Sequence, residues 1–147
     1  MERKDRILAI DPGRVRVGLA VSDALGVTAQ RLPALRWNER DPEGSLARLV
    51  EVCREKGAVR VIVGSPRRTD GREGEAESRS AHLAHALSEA TGLPVELRDE
   101  RYTTVLAQQV LRDTGVRADR KSGLLDSIAA EILLQEYLEA LRRAGGR

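Results

Sequence analysis

Aromatic residues are almost absent: the chain of 147 residues has no phenylalanine, one tryptophan (Trp37) and two tyrosines (Tyr102 and Tyr137). That is too few for base-by-base stacking along a single strand of nucleic acid. A polynucleotide ligand would have to be read through backbone shape, as duplex, junction or structured RNA. One cysteine, Cys53, excludes an internal disulfide; it falls in phase with Leu46, Leu49 and Val50 and reads as a packed core thiol on a helix face. Lysine is scarce too, with only Lys4, Lys56 and Lys121 among 25 basic residues. Phosphate recognition and a GC-rich coding bias would each produce that preference for arginine.

Long apolar runs are missing. The opening MERKDRILAIDPG has a basic lead but only four apolar residues before Asp11, too few for a signal peptide, and no later run approaches a membrane span. A cytoplasmic protein with no membrane partner is expected. Nucleotide-cofactor signatures are also absent. The interval from Gly13 to Gly18 has P-loop spacing, but Leu19 and Ala20 follow where Lys and Ser or Thr are required, and there is no G-x-G-x-x-G turn. An Asp-x-Gly turn also opens the actin and sugar-kinase type of ATP site, yet those enzymes close two related domains around ATP. A chain of this length forms one domain, 1–147, with a real core and no second half. The formal net charge is only +2, so a nucleic-acid surface must come from segregating charge rather than from overall basicity.

What is present is a regular alternation of apolar runs and breakers. Ile7–Ile10, Val17–Ser22 and Thr28–Leu35 read as short strands joined by turns, an antiparallel meander. Asp41 caps a helix with Pro42 at its first position, running to Lys56 and stopped by Gly57. The run VRVIVG, 59–64, reads as a fully buried strand. A helix over Glu75–Thr91 stopped by Gly92, a strand over Pro94–Leu97, a helix over Thr103–Asp113 and a last helix over Leu124–Arg143 follow. The order implies an α/β fold, a mixed sheet with helices packed on it. Two arginine-rich segments, SPRRTDGREG at 65–74 and GVRADRKSG at 115–123, read as loops.

Acidic residues stand where these elements meet solvent: Asp11 after the first strand, Asp99 and Glu100 after the fifth, Asp126 near the start of the last helix. Reactive groups gather at the carboxyl ends of strands in open α/β sheets. With strand order 3-2-1-4-5, the first and fifth strands flank the fourth, and their backbones lie roughly 10 Å apart. That is too far for direct contact, but an Asp and a longer Glu could reach toward an ion held between them. Each acid has a plainer reading beside this one. Asp-Pro-Gly suits a tight turn, Asp126 could favour a helix N-terminal dipole, and strand alternation sends only one of Asp99 and Glu100 to a given face.

In order, spacing and flanking residues, DPGRVRVGLAVSD, SPRRTDGREG, DERYTT and LLDSIAAEILLQ resemble the bacterial YqgF family, also called RuvX, over essentially the whole chain. The resemblance implies a ribonuclease H-like mixed five-stranded sheet of order 3-2-1-4-5 with helices on both faces. The family is described as a nuclease of the 5′ end of precursor 16S ribosomal RNA and as Holliday-junction resolvase-like. It implies Asp11, Glu100 and Asp126 as catalytic, metal-binding acids with Arg16 beside them. The chain departs from the family pattern at Arg67 and Arg68, which replace an apolar residue and an asparagine, and at Ser65 and Pro66, where many ribonuclease H-like enzymes carry an acid.

Oxygen donors without clustered Cys or His favour Mg²⁺ or Mn²⁺ over Zn²⁺, and His82 and His85 read as a solvated helix flank. Two ions about 4 Å apart could activate water and stabilise the leaving oxygen of a phosphodiester, and one ion could do part of this. Candidate phosphate contacts are Arg14, Arg16, Arg67, Arg68, Arg72, Arg101, Arg117, Arg120 and Lys121. The expected partner is precursor rRNA or branched DNA; a symmetric junction would need two coordinated sites and hence a homodimer, an RNA end only one. A non-catalytic RNA-binding or ribosome-assembly factor on the same fold is the alternative, separated from a nuclease by metal-dependent cleavage.

Overall fold

The computed structural model describes residues 5–13, 15–66, 74–100, 103–114 and 118–145, with the backbone alone at 103–105 and 118–122. Three strands open the fold, β1 (Arg6–Pro12), β2 (Arg16–Ser22) and β3 (Ala29–Arg36). They form the expected antiparallel meander: β1 pairs with β2 and β2 with β3. Helix α1 (Pro42–Lys56), strand β4 (Ala58–Ser65), helix α2 (Glu75–Thr91) and strand β5 (Val95–Asp99) follow. Helices α3 (Thr103–Thr114) and α4 (Ala118–Ala144) complete the chain. The sheet order is β3-β2-β1-β4-β5, with β4 parallel to both β1 and β5, the ribonuclease H-like arrangement expected.

The punctuation acts as its chemistry requires. The Asp41 carboxylate accepts the Gly44 amide at 3.0 Å ahead of Pro42, and Gly57 and Gly92 end their helices at φ of 68° and 71°, left-handed conformations that cost glycine nothing. One boundary differs substantially. The last helix starts at Ala118, not Leu124, so Arg120 and Lys121 lie on α4 rather than in a loop, and Asp126 is well inside the helix rather than at its dipole end. Gly123 therefore lies inside the helix, where a Cβ would stand 3.2 Å from Arg16 Cδ and crowd that side chain.

Strand alternation separates two cores. Leu8, Ile10, Val17, Leu19, Val61 and Val63 face α1 and α2, where they bury Leu49, Leu83, Leu87 and the Cys53 thiol. Burial pushes that thiol up to about 11, as befits an inert core residue. Ala9, Ala20 and Ile62 face α4, against Ala130, Leu133, Leu134 and Leu138. Helix α3 packs on α4 through Ala107, Leu111, Ile128 and Ala129. The α4 register is fixed by polar ties to the edge strand. Ser127 Oγ donates to the Leu32 carbonyl at 2.8 Å, while Gln135 Oε1 accepts from the Ala29 amide at 3.0 Å. Among the described residues no helix is long and apolar enough to cross a membrane.

Candidate active site

Asp11 lies on the α4 face because it alternates with Ile10, and its cross-strand partner on β2 is Gly18. A Cβ at Gly18 would land on the backbone carbonyl of Asp126, so the glycine lets α4 settle directly onto β2 and brings Asp126 to the end of β1. The Asp126 carboxylate reaches the β1–β2 turn, where a Cβ at Gly13 would lie 3.2 Å from both of its oxygens. Gly64 plays the same part on β4. Its neighbours in the ladder are Val63, paired with Ile10, and Arg98 across on β5, and a Cβ there would collide with the Glu100 carboxylate.

The side chain of Glu100 therefore crosses over Gly64 and hydrogen-bonds Asp11 directly, which corrects the expectation that these acids are too far apart to touch. The backbones are separated by a strand, but that strand has no side chain at the crossing point. Glu100 is anchored by its amide, which donates to the Ser65 carbonyl at 3.2 Å, and the Ser80 hydroxyl holds the Gly64 carbonyl at 2.9 Å. Asp11 and Glu100 are each only 7% exposed, whereas Asp99 points to the surface.

Electrostatics follow from the crowding. Burial, then the hydrogen bond and charge of Asp11, push the Glu100 carboxyl up to about 10, so Glu100 keeps a proton and donates it to Asp11. Asp11 is itself raised by burial, offset by that bond. Asp126 is raised to about 7 by burial and by the Asp11 charge, with Arg16 pulling the other way. Among the described residues no three His, Cys, Asp or Glu side chains stand at distances that would clasp one ion as they lie. The donor set nonetheless suits a hard divalent cation: three carboxyls in mutual electrostatic contact, two of them buried and the third, Asp126, half-buried, all raised above the ordinary carboxylate range.

Arg16 sits beside Asp126 and, with Arg31, Pro33, Ala34 and Gly123, lines a groove of about 420 Å³. Arg31 is tied to Glu131 at 3.4 Å. Of the other candidate phosphate contacts, Arg14, Arg67, Arg68, Arg72, Arg101 and Arg117 lie outside the described residues, and the side chains of Arg120 and Lys121 do too. Gly18 and Gly64 carried a signal that the sequence reading did not use, since a glycine inside an apolar strand marks a close approach by something else.

The family model "RuvX: Holliday junction resolvase" matches residues 5–140. A protein of Leuconostoc citreum named "Putative pre-16S rRNA nuclease" is 40% identical over 136 residues, covering 92% of this chain and 95% of its own length. One of the same name from Symbiobacterium thermophilum is 41% identical over 135 residues, 92% of each chain. Among solved structures, Thermus thermophilus RuvC in complex with a Holliday junction substrate superposes with a TM-score of 0.58 at 23% identity, covering 96% of both chains. The fowlpox virus Holliday junction resolvase does so at 0.56 and 18%, over 92% of this chain and 99% of that one. Both share the fold.

Proposed function

The chain belongs to the RuvX family, and on that footing we propose that it is a divalent-metal-dependent endonuclease acting on structured nucleic acid, with the 5′ end of precursor 16S rRNA as its substrate. The observation that carries the reading is the acid cluster: Asp11 and Glu100 buried in contact over Gly64, with Asp126 brought beside them by Gly18. Arg16 offsets part of the charge at Asp126, yet that carboxyl stays raised and Glu100 is pushed far above its usual range, a costly arrangement that a functional site accounts for. The rRNA assignment rests on relatives near 40% identity that carry that name, whereas the resolvase structures share the fold at 23% or less.

Asp11, Glu100 and Asp126 would hold Mg²⁺ or Mn²⁺, and Glu100 must release its proton to do so. Bound there, the cation lowers the pKa of water and offsets charge on the phosphodiester. The chain's own work is to fix three carboxylates, two of them buried, at one place and to hold the substrate. Arg16 supplies a charge beside Asp126 at the mouth of the groove, where a guanidinium can engage phosphate oxygens in a bidentate fashion. Arg67, Arg68, Arg101, Arg120 and Lys121 are the further phosphate ligands that the sequence offers.

The test is cleavage in Mn²⁺ of an RNA spanning the 5′ end of 16S rRNA and of a four-way DNA junction, beside Asp11→Asn. The wild-type chain should cut the RNA, and Asp11→Asn should lose cleavage while still folding and binding. Undiminished cleavage by Asp11→Asn would overturn the site; preferential cutting of the junction would overturn the substrate.

A further inference from the structure

On the opposite side of the β1–β2 turn from Asp126, a cavity of about 440 Å³ opens between α1, α2 and the end of the sheet. That volume lies within the range of small-molecule sites, roughly 300–1,000 Å³. Its walls are apolar and flat: Trp37, Pro12, Val17, Leu46 and Leu83. Trp37 is the only tryptophan of the chain. Arg79 also lines it, and its Nε is buried with no hydrogen-bond partner among the described residues. The exposed Glu39 and Glu43 contribute to the lining as well.

We propose that this cavity receives the base of one unpaired nucleotide adjoining the cleaved phosphodiester, with Trp37 as its stacking surface and Arg79 as the ligand of its phosphate. Three features carry this. Apolar walls with an indole fit a heteroaromatic ring, which stacks without regard to sequence. An arginine whose Nε is sheltered yet unsatisfied lacks an acceptor, and a phosphate oxygen supplies one. The carboxylates of Glu39 and Glu43 repel phosphate, which leaves Arg79 as the group of the lining that draws the backbone. Gly13 borders both the cavity and the Asp126 carboxylate, so the cavity and the acids share the β1–β2 turn. Recognition of structured nucleic acid by backbone shape and capture of a single flipped base are compatible, because one aromatic suffices for one base.

The inference rests on the nuclease reading for the identity of the neighbouring phosphate, but its test does not require cleavage. Because Trp37 is the sole tryptophan, its emission reports on this cavity alone. The full chain, in chelator so that no cutting occurs, is titrated with a short single-stranded RNA oligonucleotide and with its abasic sugar-phosphate counterpart. The intact oligonucleotide should quench Trp37 and the abasic one should not. Arg79→Gln should raise the dissociation constant about tenfold while reaching the same quench at saturation and keeping the wild-type circular dichroism. Equal responses to intact and abasic strands, or unaltered affinity in Arg79→Gln, would overturn the proposal. Base-dependent quenching in a chain that cleaves neither the RNA nor the junction would uphold the cavity and sink the nuclease reading; cleavage without quenching would do the reverse.

Discussion

On the face covered by α1 and α2 the strands present Leu8, Ile10, Val17, Leu19, Val61 and Val63, whereas on the face under α4 they present Ala9, Asp11, Gly18, Ala20, Ile62 and Gly64. The first face is a conventional core, filled by large side chains that hold the helices off the sheet. The second is nearly bare at its carboxyl end. There the α4 backbone rests against β2 and a carboxylate lies where a β4 side chain would otherwise be. The difference teaches that this site is made by omission. Three acids from β1, from the end of β5 and from α4 converge because Gly13, Gly18 and Gly64 decline to fill the space between them.

The largest effect should come from the group that uses that space. Glu100→Gln should lower cleavage beyond the roughly 10–100-fold typical of residues that merely support a metal ligand, and should weaken Mn²⁺ binding. It should also raise the melting temperature of the metal-free chain, because an amide can donate to Asp11 without the crowding of a second acid. Asp99→Asn, on the exposed side, should keep most of its activity. Cleavage, Mn²⁺ affinity and thermal unfolding measured on both variants decide the matter; loss of metal binding by Asp99→Asn alone would relocate the site to the other acid.

Next come substitutions that fill one face or empty the other. Gly18→Ala places a methyl on the Asp126 carbonyl, backbone against backbone, where no rotamer change can relieve it. A loss of about 3 kcal/mol in denaturant unfolding is expected, the upper part of the overpacking range. Cys53→Ala removes one sulfur from the large-residue face and should cost about 1 kcal/mol with cleavage per folded molecule unchanged. Equal costs would mean that α4 can slide away from β2, and that the closeness of the second face is incidental.

A pH titration sharpens the same contrast. A carboxyl whose pKa is higher in the folded than in the unfolded chain binds its proton more tightly when folded, so its stabilising contribution is full at low pH and disappears as pH rises. For Glu100 that decline runs from its ordinary 4.5 to about 10, and for Asp126 from 3.8 to about 7. Metal-free protein should thus lose stability steadily above pH 4.5, Glu100→Gln should flatten the profile, and Mn²⁺ should restore what is lost at neutral pH. A wild-type profile parallel to that of Glu100→Gln would mean that the acids are not crowded in solution.

Much of this fold was legible because its boundaries are written in residues with one conformational use. Asp41-Pro42 opening α1, Gly57 closing it and Gly92 closing α2 each stand where predicted, and the strand order is the one the family resemblance implied. The α4 start was not legible, because ADRKSG has loop composition and the closeness of Arg16 to Gly123 is not written in it. Nor was the Asp11–Glu100 contact. It depends on what Gly64, a residue of a third strand, does not occupy, and pairwise spacing along a sequence contains no such information.

The smallest effect concerns Arg16, which borders the bare face without filling it. Its charge holds Asp126 down against burial and the Asp11 charge, so Arg16→Gln should raise the Asp126 pKa from about 7 and move the acid limb of the pH–rate profile upward. If Arg16 also binds phosphate, the same change should reduce the log–log salt slope of duplex binding by about 0.9, and of single-strand binding by about 0.7. The two readouts separate its roles. A shifted pH profile with an unaltered salt slope would make Arg16 a positioning residue that tunes Asp126 from beside it. A reduced slope with an unshifted profile would leave it a phosphate ligand alone, and the electrostatics of the site would then belong to the three carboxyls by themselves.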